Sequence, residues 1–96
     1  MFGLLARLKV DPAKAAAFEA DFAETARAVR EKEPDVIVYN LARIRETDSD
    51  YRVVELYRSE EAFKAHLATD HFQAFRPKMA AAIIAPPEVE RLDVIP

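Results

Sequence analysis

The chain has 96 residues, 51% of them hydrophobic and 32% charged, with a formal net charge of −3 and the two signs interspersed. That describes one globular domain, residues 1–96, without the basic cluster that nucleic acid or an anionic membrane would need as a partner. Cysteine is absent and the only glycine is Gly3, which excludes disulfides, thiolate chemistry, a P-loop and a GxGxxG dinucleotide cradle. The opening stretch, MFGLLARLKVDP, lacks the charged n-region and long apolar run of a signal peptide, and no apolar run reaches the roughly 18–20 residues of a membrane span. A cytoplasmic, reduced setting is expected. The apolar fraction is high for so small a monomer, so a second buried face, and with it an oligomer, is expected too.

Residues 2–10 alternate, with Leu4, Ala6, Leu8 and Val10 on one face, and read as a strand. Asp11-Pro12 is an N-cap followed by proline at the first helical position. The helix it opens runs to about Lys32, with Phe18, Phe22, Ala26 and Val29 as the buried stripe, and Pro34 stops it. Residues 35–46 form a longer strand that places Val38 and Asn40 on one face and Tyr39 and Leu41 on the other. Thr47-Asp48-Ser49-Asp50 is a polar turn. The next strand, Tyr51 to Arg58, carries Tyr51, Val53, Glu55 and Tyr57 on one face. With the turn centred near Asp48, Tyr57 pairs with Tyr39 and Glu55 with Leu41.

Ser59 caps a helix whose core residues are Phe63 and Leu67, with His66 beside them. Asp70 followed by Gln73 resembles a capping box that opens a further segment. Its stripe is Phe72, Phe75, Met79 and Ile83, and Pro77 bends it or restarts it. Pro86-Pro87 ends that segment before a short final strand. The order β-α-β-β-α-β, with apolar residues on both strand faces, predicts an α+β, ferredoxin-like antiparallel sheet covered on one side by helices.

Chemistry concentrates between Tyr51 and Phe75, which hold both histidines of the chain, His66 and His71. Five residues apart, they would diverge by about 140° on one continuous helix. The four-residue spacing and the HExxH pattern of helical metal sites are absent, so no metal site is expected of them. Glu55 is a charged residue between Val54 and Leu56, on a face shared with aromatics. Two readings stand: an ion pair with an arginine such as Arg43, or a group that orients a histidine or a substrate hydroxyl. His66, ordinarily titrating near pH 6.5, suits a general base. The alternative is a structural histidine satisfied by a backbone carbonyl.

The run from Val54 to Phe72, VELYRSEEAFKAHLATDHF, resembles the signature of the antibiotic biosynthesis monooxygenase (ABM) domain family. Glu55, Tyr57, Ala62, Phe63, His66, Thr69, His71 and Phe72 fit it in order, with Tyr57 where tryptophan is frequent. Upstream, Glu33-Pro34-Asp35 followed by Tyr39 is similar to the family's Glu-Pro-Gly…Tyr step, Asp35 replacing the glycine. The resemblance implies a dimeric α+β barrel, two sheets face to face, with a pocket between sheet and helices. It also implies an oxygenase that needs no cofactor, acting on a quinol or small hydroxylated aromatic. His66 and Glu55 are then the catalytic pair, Glu55 orienting His66, and Tyr39, Tyr57, His71 and Phe72 the substrate-binding residues. The alternatives are a non-catalytic small-molecule binding or stress-response module, a haem-degrading relative, and an isomerase of the same fold.

Overall fold

The computed structural model describes residues 1–96. Strand β1 (Phe2–Lys9) leads through a 3-10 turn, Pro12–Lys14, into helix α1 (Ala15–Lys32). As the sequence predicts, the Asp11 carboxylate accepts from the Ala13 N–H and Pro12 opens the turn. Then come β2 (Val36–Arg43), β3 (Asp50–Tyr57), α2 (Glu60–Leu67), α3 (Asp70–Ala82) and β4 (Glu88–Asp93). The sheet order is β2-β3-β1-β4, all neighbours antiparallel, which is the ferredoxin-like arrangement. No helix is long and apolar enough to cross a membrane.

The helices cover one sheet face. Leu4, Ala6 and Leu8 of β1 and Tyr51, Val53 and Tyr57 of β3 are buried there against Phe18, Phe22, Ala26 and Val29 of α1. Each apolar side chain removed from water stabilises by roughly 1.5–3 kcal/mol. The opposite face is open. Register places Leu5 beside Val54, Val38 beside Leu56 and Gly3 beside Leu92 on it, and Val54 and Leu92 are each 42% exposed.

Three local readings need correction. The β2–β3 register is shifted: Tyr39 pairs with Glu55, Leu41 with Val53, and Val36 with Tyr57. The connection is longer than a four-residue turn and is centred one residue earlier, around Thr47. There Glu46 takes a left-handed φ of 65°, and the Thr47 carbonyl accepts from Arg43 at 2.7 Å. Moving a turn centre by one residue moves every cross-strand pair by two. A bulge between Val36 and Val38 also turns Val36 to the helix side, out of the alternation. Finally, Thr69 and not Asp70 caps α3, its hydroxyl accepting from the Phe72 N–H at 3.2 Å. Gln73 bonds the Leu67 carbonyl at 2.6 Å instead of closing a capping box. Helix α3 continues through Pro77 to Ala82.

Candidate functional site

Between the helix-covered face of the sheet and helices α2 and α3 lies a cavity of about 510 Å³. Tyr39, Glu55 and Leu4 contribute from the sheet, His66 and Phe63 from α2, and Phe72 and Met79 from α3. A wider hollow of about 680 Å³ runs along α1 and β2 and contains no histidine. Tyr39 and Phe22 belong to both walls, their rings stacked at 5.0 Å. The smaller cavity is the candidate site, because titratable groups converge on it.

His66 lies in the last turn of α2 and is 1% exposed. Its Nδ1 lies 3.0 and 3.1 Å from the two carboxylate oxygens of Glu33. Glu33 reaches it because Pro34 follows. The residue before a proline is driven out of helical conformation, and Glu33, at φ −123° and ψ 81°, leaves the axis of α1. Its side chain turns beneath α2 and α3 and is 10% exposed. Asp35, where the family pattern has glycine, keeps a negative φ, and its carbonyl accepts from the Arg58 N–H at 3.0 Å.

A carboxylate at Nδ1 holds the proton on that nitrogen and leaves Nε2 with a free lone pair. His66 Nε2 is the one buried side-chain nitrogen or oxygen without a partner, and a buried polar atom left alone is costly. His66 belongs to the cavity wall and Glu33 does not, so the carboxylate supports the ring from outside the cavity. Tyr39 and Phe72 flank the ring at 5.0 and 4.8 Å. Burial lowers the pKa of His66, the hydrogen bond and charge of Glu33 oppose that, and His71 adds to it. The neutral imidazole is thereby favoured.

The pairing expected of Glu55 and His66 is replaced. Both belong to the cavity wall, but the group at His66 Nδ1 is Glu33. The carboxyl of Glu55 accepts instead from the Tyr57 hydroxyl, two residues along the same face, at 2.5 Å. It makes no ion pair with Arg43, whose guanidinium is bonded to the Thr47 carbonyl. Burial raises the pKa of Glu55 to about 7; the Tyr57 hydrogen bond opposes this and Glu33 reinforces it. Burial, with Glu55 beside them, also raises both Tyr39 and Tyr57.

Of the residues expected at the site, Tyr39, Glu55, His66 and Phe72 share the cavity. Tyr57 and His71 are set back from it. Tyr57 is fully buried behind Glu55, and His71 Nε2 bonds Glu33 Oε2 at 2.5 Å. Two further residues, Glu33 and Arg91, carry no site role in the sequence reading. The signal for Glu33 was its place immediately before Pro34. Arg91 stood in an undistinguished strand, yet it is the only lysine or arginine of the cavity wall, its guanidinium 6.0 Å from the Phe63 ring centroid.

The two histidines converge instead of diverging, because Thr69 ends α2 and starts α3. Its hydroxyl donates to the His66 carbonyl at 2.7 Å as it caps Phe72. The donor atoms of Glu33, His66 and His71 lie within 4.8 Å of one another. Two imidazoles and a carboxylate are chemically suited to zinc or ferrous iron. The 2.5 Å between His71 Nε2 and Glu33 Oε2 is a hydrogen-bond length, shorter than the roughly 3 Å that separates ligand atoms each about 2.1 Å from one ion. A metal on His66 Nδ1 would also move the ring proton to Nε2, where no acceptor waits. As placed here, the three side chains form a hydrogen-bonded triad centred on the Glu33 carboxylate.

A ferredoxin-like α+β domain, with a buried neutral imidazole presented to an aromatic cavity, defines the class. Residues 1–78 match the family described as antibiotic biosynthesis monooxygenase, and the chain belongs to that family. Among solved structures, a proposed antibiotic biosynthesis monooxygenase from Caulobacter crescentus is 41% identical. Its TM-score is 0.94, and the match covers 99% of this chain and 90% of that one. SnoaB, a cofactor-independent oxygenase from Streptomyces nogalater, is 25% identical with a TM-score of 0.80 over 97% of this chain and 91% of its own. A search of curated proteins finds no match.

Proposed function

We propose that this protein is a cofactor-independent monooxygenase acting on a quinol or another small hydroxylated aromatic, with His66 as the base. The observation that carries the reading is His66 Nε2, buried, without a partner and held in its basic tautomer by Glu33. A phenolic hydroxyl placed against it donates its proton there, and the resulting aryloxide is electron-rich enough to reduce dioxygen. One oxygen atom replaces a ring C–H hydrogen. That hydrogen and the hydroxyl proton leave with the other oxygen atom as water, so the substrate supplies both electrons. The protein contributes the base, hydrogen bonds and a dry cavity. Tyr39 and Phe72 pack against the ring, Glu55 faces the substrate oxygens, and Arg91 balances the aryloxide charge. SnoaB, named as a cofactor-independent oxygenase, supports the same chemistry.

The protein acts as a homodimer in this reading, the open sheet face around Leu5, Val54, Leu56 and Leu92 closing against a second copy. Oxygen uptake by metal-free protein, measured across a panel of quinols and hydroxylated anthraquinones, tests the activity. Turnover that His66→Gln abolishes supports it. Binding without oxygen uptake across the panel replaces it with a ligand-binding module.

A further inference from the structure

We infer that His71 is a positioning residue for the His66 base: it holds the second oxygen of Glu33, and its own charge sets how readily His66 Nε2 accepts a proton. This rests on His66 being the base, and it assigns a task to a histidine that does not reach the cavity. Glu33 brings one negative charge to two imidazoles, His66 Nδ1 at 3.0 Å and His71 Nε2 at 2.5 Å. No lysine or arginine is paired with Glu33, whose only ionic contacts are these two rings. One carboxylate compensates one imidazolium well and two poorly.

The two rings differ in access. His66 is 1% exposed, whereas the His71 side chain is 12% exposed. His71 Nδ1 has no protein partner and is not among the buried unpartnered atoms, so it meets solvent. With ring centroids 6.4 Å apart, a charged His71 depresses the basicity of His66, because the two like charges repel across a poorly solvated gap. The other titratable groups near His66 are Glu55, Tyr39 and Tyr57 on the sheet, and none of them bonds His71. Glu33 orients both rings, so the N–H of His71 fixes where the carboxylate sits under His66.

The test is an NMR titration of His66 in the wild type and in His71→Gln, whose amide keeps an N–H for Glu33 but does not titrate. The His66 midpoint is expected to rise in the variant, by an amount the titration resolves. The acid limb of kcat/KM follows it, and KM stays unchanged. A second readout uses the wild type alone: the His66 signal should show a second inflection at the midpoint of His71. An unmoved midpoint in His71→Gln, or independent single-step curves in the wild type, overturns the inference. Coupled titration without oxygen uptake on any substrate leaves the inference standing and removes the oxygenase reading.

Discussion

Glu55→Gln separates the role of a site carboxyl from its effect on stability. Burial raises this group from 4.5 to about 7, so the folded protein holds a proton that the unfolded chain has released between those values. The sign follows from linkage. A raised pKa gives a contribution fully present below pH 4.5 and lost as pH rises through 7. At about 1.4 kcal/mol per pH unit, the 2.5 units between the two values correspond to up to about 3 kcal/mol of stability lost above neutrality. Glutamine is close in shape, still accepts from the Tyr57 hydroxyl, and does not ionise. The variant should match the wild type near pH 4.5 and exceed it by up to about 3 kcal/mol at pH 8. Urea denaturation at fixed protein concentration across that range measures the difference. Parallel stability curves for the two proteins between pH 4.5 and 8 would refute the reasoning, since Glu55 would then ionise normally in the fold. A variant that gains stability at pH 8 while losing oxygen uptake would show a site carboxyl kept against the interest of the fold.

Glu33→Gln removes the charge that opposes desolvation at His66, and the His66 midpoint should fall. Glu55→Gln should leave that midpoint in place, and NMR titration of both variants distinguishes the two carboxylates; a larger response to Glu55 would reverse the assignment. Thr69→Ala removes the cap of α3 at about 1 kcal/mol, or a Tm lower by roughly 4–8 °C for a domain of this size. Calorimetry that finds no loss would mean the junction is held by Gln73 and the Leu67 carbonyl instead. Val54→Asp places a charge on the open sheet face without touching the helix-covered core. Light scattering should then report a monomer where the wild type reports a dimer, and a wild-type monomer at micromolar concentration ends the dimer proposal.

The sequence alone determined the elements, because their signals are local. Alternation in Leu4, Ala6 and Leu8, the i, i+4 spacing of Phe18 and Phe22, the Asp11-Pro12 and Ser59 caps and the breaks at Pro34 and Pro86 each depend on a few neighbouring residues. The element order then allowed one compact sheet topology, and four of the six expected site residues fell in one cavity: Tyr39 and Glu55 because strand parity sets their face, His66 and Phe72 because their helices cover that face. Tertiary structure decided the rest. Which carboxylate meets His66 depended on a proline turning Glu33 inward at the end of a helix 33 residues away, a distance no periodicity spans. Whether the histidines diverge or converge depended on Thr69 starting a new helix between them, which moved His71 onto Glu33 and invalidated an angle drawn for continuous helix. The partner of Glu55 turned on a hydroxyl two residues away, and the cross-strand register on one left-handed residue in a loop. Each is a contact between side chains whose backbone positions are set by packing, so it exists only once the core has closed.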